Sequence, residues 1–159
     1  MFKKYFLLFL ILFVCCTFIG CNTTPADNST EQKPTESTYV VNNFEDATIS
    51  NISISENAAT LEFSYSGENQ LHLAEWFVLE VYDNGTWYTL PYDIENSWEL
   101  EAYPVEPNQS RSMEYNWKYV YEPLSAGKYR IVTKVTDFKE STFANERNEY
   151  YLAKEFIIE

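Results

Sequence analysis

Phe77-Val-Leu-Glu-Val-Tyr-Asp-Asn-Gly-Thr-Trp-Tyr-Thr-Leu90 decides the fold of this chain. Phe77 to Tyr82 is apolar at nearly every position except Glu80, the composition of a central strand covered on both sides. Asp83-Asn84-Gly85 then supplies the turn residues of a hairpin into Trp87-Tyr88-Thr89-Leu90. Working outward, the same texture recurs as runs of period two. Ile52 and Ile54 alternate with serines; Ala59, Leu61, Phe63 and Tyr65 alternate with Thr60, Glu62 and Ser64; Met113, Tyr115 and Trp117 alternate with Ser112, Glu114 and Asn116. Each of these runs has one wet face and one dry one. Pro91, Pro104, Pro107 and Pro123 fall between runs, where a missing amide donor does little harm. No stretch of ten or more residues keeps a helical period, although Phe138 to Asn148 has room for one short helical turn. Seven or eight short strands in about 115 residues, punctuated by turn signals, describe an all-β antiparallel sandwich.

Two further patterns sharpen that reading. Leu124-Ser-Ala-Gly127-Lys-Tyr129-Arg130-Ile131 looks like the turn and tyrosine corner that open the penultimate strand of an Ig-like domain. The order Phe77-Val-Leu-Glu80, Gly85-Thr-Trp87-Tyr88, Pro107-Asn108, Asn116-Trp117-Lys118-Tyr119, Leu124-x-x-Gly127-x-Tyr129-Arg130 and Glu155-Phe156-x-Ile158 resembles a bacterial Ig-like domain of Gram-positive lipoproteins, over residues 45–159. The resemblance implies an Ig-like sandwich and brings no known catalytic residue or ligand with it. The paired cysteines of antibody domains are missing, so no disulfide joins the sheets.

Upstream, Lys3 and Lys4 precede fifteen apolar or near-apolar residues, Tyr5 to Ile19, which end at Gly20-Cys21. This reads as an export signal, shorter than the roughly 20 apolar residues a spanning helix wants. An uncleaved anchor and an ordinary secretory signal remain the alternatives. Phe18-Ile19-Gly20-Cys21 resembles the lipobox of bacterial lipoproteins, which implies that residues 1–20 are removed and that Cys21 carries the lipid. Gly20 and Cys21 fit that motif, whereas Phe18 and Ile19 are bulkier than its usual residues. Cys15 and Cys16 lie inside the signal, so Cys21 is the single cysteine of the processed chain. Asn22 to Thr38, with five Thr, two Ser, two Pro and no aliphatic side chain larger than Ala26, reads as a tether, and residues 21–44 as a whole form the anchor and linker. The expected location is the extracytoplasmic face of the cell membrane, reached through the Cys21 lipid.

Composition limits what the domain does. The chain of 159 residues has a formal net charge of −13, which becomes −15 once Lys3 and Lys4 are removed, and this argues against a nucleic-acid binder. Of its 28 aromatic residues, 22 lie from Cys21 onward, enough to build one core and to exclude disorder for most of that length. Tyr39 to Ser110 holds thirteen acidic residues and no Lys or Arg, whereas Arg111 to Glu159 holds eight of each sign. In a sandwich these segments interleave, so the basic strand around Lys128, Arg130 and Lys134 is expected beside Glu75 or Glu80. The acidic surplus suits either a cationic partner or solubility near anionic lipid and wall polymer, and the second is the simpler account.

No catalytic constellation emerges. His72 is the only histidine, with no cysteine near it and no nucleophile elbow, and reads as a strand-edge or loop residue. Glu99 and Glu101 share one strand face, as a carboxylate pair for glycoside chemistry would and as any solvated face does. Asp93-Ile94-Glu95-Asn96 and Asp83-Asn84-Gly85 offer oxygen ligands for calcium without matching a binding loop. The expectation is no enzyme, no cofactor and no metal. Four tryptophans exceed what one core needs; Trp117 and Trp87 are assigned to the core, and Trp76 and Trp98 are the candidate binding residues. The chain is therefore expected to be a membrane-anchored extracellular lipoprotein presenting a monomeric, non-catalytic interaction module to a protein or glycan partner. A carbohydrate- or wall-binding module using exposed Trp and Tyr is the alternative, and an enzyme or a protease inhibitor ranks below both.

Overall fold

Alternating residues give each strand a dry side, and two such sheets bury those sides against one another. The computed structural model describes residues 33–92, 102–139 and 146–159. The strands are β1 Thr35–Glu36, β2 Ala47–Ile54, β3 Ala58–Tyr65, β4 Gln70–Asp83, β5 Thr86–Thr89, β6 Ala102–Val105, β7 Ser110–Asn116, β8 Gly127–Lys139 and β9 Glu146–Ile158. A small sheet has the order β2-β3-β7, and a large one the order β1-β5-β4-β8-β9, with β6 also paired to β4. Every pairing between named strands is antiparallel. This is the Ig-like sandwich expected from the sequence, with nine strands among the described residues instead of seven or eight. The chain's three cysteines lie at or before position 21, so no disulfide contributes to the sandwich.

The hairpin forms where the sequence places it. Asn84 and Gly85 both take positive φ, 47° and 91°, the left-handed pair that a two-residue turn between twisted strands requires. It sets Tyr82 opposite Trp87 and Asp83 opposite Thr86. β4 is the longest strand, and it carries an irregularity between Leu73 and Phe77. On one edge its first half pairs with β6 and its second half with β5. The hydroxyls of Tyr115 and Thr133 fill the interruption: Tyr115 Oη donates to the Ala74 carbonyl at 3.2 Å, and Thr133 Oγ1 to the Trp76 carbonyl at 2.8 Å. Carbonyls that lost ladder partners at the bulge are thereby satisfied inside the protein.

The main core lies between the sheets and includes Leu61, Phe63, Phe77, Leu79, Tyr115, Trp117, Ile131 and Leu152. Trp117 stacks on Phe156 at 6.0 Å, as its place in the β7 alternation predicts. Tyr129 forms the expected tyrosine corner, donating from its hydroxyl to the Ser125 carbonyl at 2.9 Å. β6 contains Pro104, which the sequence places between strands; β6 pairs with β4 alone, and an edge position tolerates a residue with no amide donor. At the site of the suggested helical turn, Phe138 and Lys139 end β8 and Glu146 begins β9, the residues between them lying outside the described ones.

One difference from the sequence reading bears on function. Residues assigned by composition to the tether are tied to the large sheet from Thr35 onward. Thr35 and Glu36 pair with Thr89 and Tyr88, and the Ser37 amide donates to the Trp87 carbonyl at 2.9 Å. The chain then crosses to the opposite edge, where Val41 forms a parallel bridge with Tyr151. Asn42, at φ 56°, ends the crossing. Its side-chain amide donates to the Ala153 carbonyl and accepts from the Ala153 amide, at 3.2 and 2.9 Å, so one side chain stands in for a neighbouring strand.

Candidate functional site

The sandwich has two outer faces of opposite character. On the small sheet, the registers put Thr48, Ser64 and Ser110 in one outward row and Ser53, Thr60 and Glu114 in another. Asn51, Glu62 and Ser112 lie between them. Nothing aliphatic or cationic appears in these rows. On the large sheet, cross-strand pairs build three outward rows of different chemistry.

The first row runs Trp87, Tyr82, Lys128, Ile157, with Tyr82 opposite Trp87 and Lys128 opposite Ile157. The Lys128 ammonium lies 4.9 Å from the Tyr82 ring centre and 5.5 Å from that of Trp87, and the two rings are 5.0 Å apart. Lys128 also pairs with Glu155 at 2.7 Å. Tyr82 is 40% exposed and Ile157 70%. This row is an amphipathic strip, apolar in area and cationic at its middle.

The second row is Thr89, Glu80, Arg130, Glu155. Glu80 is fully buried although it points away from the main core. One of its oxygens accepts from Arg130 Nε and the other from Thr89 Oγ1 at 3.0 Å. The Arg130 guanidinium sits 4.5 Å over the Trp87 ring and donates to Ser37 Oγ at 3.3 Å. Both charges are paired and hydrogen-bonded, the condition under which burial is tolerable. The third row, Val78, Val132 and Ala153, forms a second apolar cluster apart from the main core, packed against by Tyr39, Val41, Trp76, Tyr92 and Tyr151. Tyr39 lies 5.9 Å from Trp76 and 5.0 Å from Tyr151. Burial holds the Tyr39 phenol above its ordinary pKa, with Tyr151, Tyr92 and Glu80 adding to the shift.

The sequence candidates fall unevenly on this face. Trp76 is on it, half-buried between Tyr39 and Tyr151. Trp87, assigned to the core from its place in the hairpin, is instead a half-exposed member of the first row, because hairpin alternation turns it to the outer face with Tyr82. Trp117 is core. Trp98, Cys21, Glu99, Glu101 and Asp93 to Asn96 lie outside the described residues. Arg130 meets Glu80 as expected from charge, whereas Lys128 and Lys134 pair with Glu155 and Glu149 of β9. Tyr82, Lys128 and Ile157 are not singled out by the sequence; counting in twos from the hairpin puts Tyr82 outward with Glu80, but the partners of β8 and β9 follow only from the register.

Among the described residues, one cleft lies away from this face and another at its β9 edge. One, of ≈ 420 Å³ at the loop end, is lined by Glu68, Asn69, His72, Glu106 and Phe138 among others. There Gln70 donates to Glu106 at 2.7 Å and its carbonyl oxygen meets His72 Nε2 at 2.8 Å. Burial, then Arg147, lowers the His72 pKa, partly opposed by Glu106. No serine, threonine or cysteine accompanies His72 among the residues lining this cleft. The other cleft, of ≈ 490 Å³, lies between β2 and β9, where Lys154 Nζ donates to the Ile49 carbonyl at 3.1 Å. Asp83-Asn84-Gly85 serves as the hairpin turn, and no group of three or more His, Cys, Asp or Glu comes together for a metal among the described residues.

A family model described as a bacterial Ig-like domain matches residues 46–156. No curated protein matches the chain. Among solved structures, the archaellum periplasmic stator protein FlaG from Sulfolobus acidocaldarius is similar at 18% identity and a TM-score of 0.40, over 69% of this chain and 97% of that one.

Proposed function

Because the chain belongs to the bacterial Ig-like domain family, a non-catalytic module type, we propose that it is a surface lipoprotein whose domain binds a protein partner through the outer face of its large sheet. The observation that carries this reading is the Trp87, Tyr82, Lys128, Ile157 row, half-exposed at Trp87 and exposed at the other three. It joins large aromatic area, a cation and an exposed aliphatic side chain on one regular sheet surface, the mixture enriched at protein interfaces. The family's fold holds these side chains on strands, which fixes their spacing without a catalytic centre. A glycan platform is less well supported, since the Trp87 ring already carries the Arg130 guanidinium and Trp76 is wedged between two tyrosines. Cys21 as the lipidated residue, with the polar run that follows it as the tether, completes the reading, supported by the lipobox-like end of the apolar run.

Two measurements test it. Replacing Cys21 with Ser should move the protein from the membrane to the soluble fraction and abolish lipid labelling; retention without labelling refutes the anchor. Capture from cell-envelope extract should recover a protein that resists high salt and is lost with Tyr82→Ala or Ile157→Asp. Recovery of glycan alone, or a protein retained by both variants, refutes the docking face.

A further inference from the structure

The outer face of the large sheet is only partly open, because Ser37 to Asn42 lies across it. Its grip is light. β1 is two residues long and exposed on both, Val40 is 69% exposed, and the crossing is fastened at its ends by the Ser37 amide to Trp87 and by Asn42 to β9. Between those ends Tyr39 packs on Trp76 and Tyr151, and Val41 packs on the third row and makes a single parallel bridge to Tyr151. None of this packing belongs to the core between the sheets: Val78, Val132 and Ala153 form a separate cluster. Lifting the crossing therefore uncovers an apolar strip without opening the sandwich.

Beneath the crossing lies an unusual opponent. Glu80 and Arg130 are an ion pair on an outer sheet face, and the crossing touches it through Ser37 Oγ on Arg130. Closure desolvates two charges as well as burying apolar area, and desolvation of a paired charge opposes much of what its attraction supplies. The two effects pull in opposite directions on the same segment.

We infer that Ser37–Asn42 is a displaceable strap, an autoinhibitory cover over the second and third rows of the docking face. When closed, a partner meets only the Trp87, Tyr82, Lys128, Ile157 row. When open, the face extends to Val78, Val132, Ala153 and the Trp76 ring, and the Glu80–Arg130 pair becomes available to polar groups of the partner. The inference rests on the proposed docking face for what opening uncovers; the opening itself is measured with no partner present.

The test is hydrogen exchange on the full chain in detergent, read at single amides. The Ser37, Asn42 and Ala153 amides should exchange together and about 100-fold faster than those of Ile131 and Val132, as a local opening does. Tyr39→Ala should speed the first group by a further factor of about ten, and the second by no more than the accompanying loss of global stability dictates, so that the strap amides stay the faster group. Glu80→Leu combined with Arg130→Met should slow the strap amides. A common rate for strap and β8 amides in the unmodified chain overturns the inference, because the strap would then open only when the whole domain unfolds. Faster strap exchange in the double variant overturns the balance argument. Failed capture with normal local exchange would refute the docking face and leave the strap standing.

Discussion

The outer faces of the two sheets are built from the same alternating pattern and have opposite surfaces. The face of β2, β3 and β7 carries hydroxyls, amides and two carboxylates, each side chain short and hydrated. The face of β5, β4, β8 and β9 carries tryptophan, tyrosine, a buried ion pair and an apolar strip, and requires a cover. Both faces sit on equally well-packed backs, so the main core does not explain the difference. A sheet face needs only polarity to be soluble, and the first has just that. The second holds hydrophobic area that the core between the sheets does not use, and it is this area that the proposed docking draws on.

The comparison can be broken most forcefully at the charges. Glu80→Ala leaves Arg130 buried without its partner and should cost about 3–5 kcal/mol in urea unfolding. Glu62→Ala or Glu114→Ala, carboxylates of the other face, should stay within about 0.5 kcal/mol. Equal effects would show that the two faces are energetically alike. Next, Tyr39→Ala should lower stability by about 1 kcal/mol through lost aromatic burial, whereas Thr60→Ala should not register. Ile157→Asp and Tyr82→Ala should leave the unfolding midpoint nearly unmoved, within about 0.5 kcal/mol, while removing partner capture; Ser112→Ala should change neither. The smallest effect is expected at a region belonging to neither face. His72 has a lowered pKa in the folded domain, so the folded state resists its protonation. Its contribution is present above the ordinary value of 6.5 and declines as pH falls from there toward the lower folded value. A pH series of unfolding midpoints should show that shallow slope in the unmodified protein and lose it in His72→Gln.

What is legible in the sequence follows the range of the interactions involved. The hairpin is legible because Asn84 and Gly85 state their own backbone requirement. Tyr115 and Trp117 are legible because alternation alone turns them inward. The Phe77 to Tyr82 run reads as covered on both sides, which holds through Glu80 and fails at Tyr82, where the cover ends. Trp87 misleads for a related reason: a tryptophan reads as core until the partner strands show which face it shares. The strap escapes because β1 is held by backbone hydrogen bonds, which composition does not record. Tyr39 and Val41 do its packing, and they stand just past the polar run that reads as tether. The docking row combines residues from four strands, so register, and no local pattern, assembles it.

The hydroxyls at the β4 interruption have a consequence for the environment in which this domain works. Tyr115 and Thr133 fasten β7 and β8 to the bulged carbonyls of β4 with hydroxyl groups, which take no part in thiol–disulfide exchange. Other cross-sheet fastenings among the described residues come from Lys154 to the Ile49 carbonyl, from Arg111 to the Pro104 carbonyl and from apolar contact, and the chain has no cysteine beyond position 21. Small exported domains that rely on disulfides inherit a dependence on the oxidising power of their surroundings. This domain has no disulfide to lose, so thiol reductants do not dismantle its fold, and it needs no thiol oxidase or disulfide isomerase to reach it.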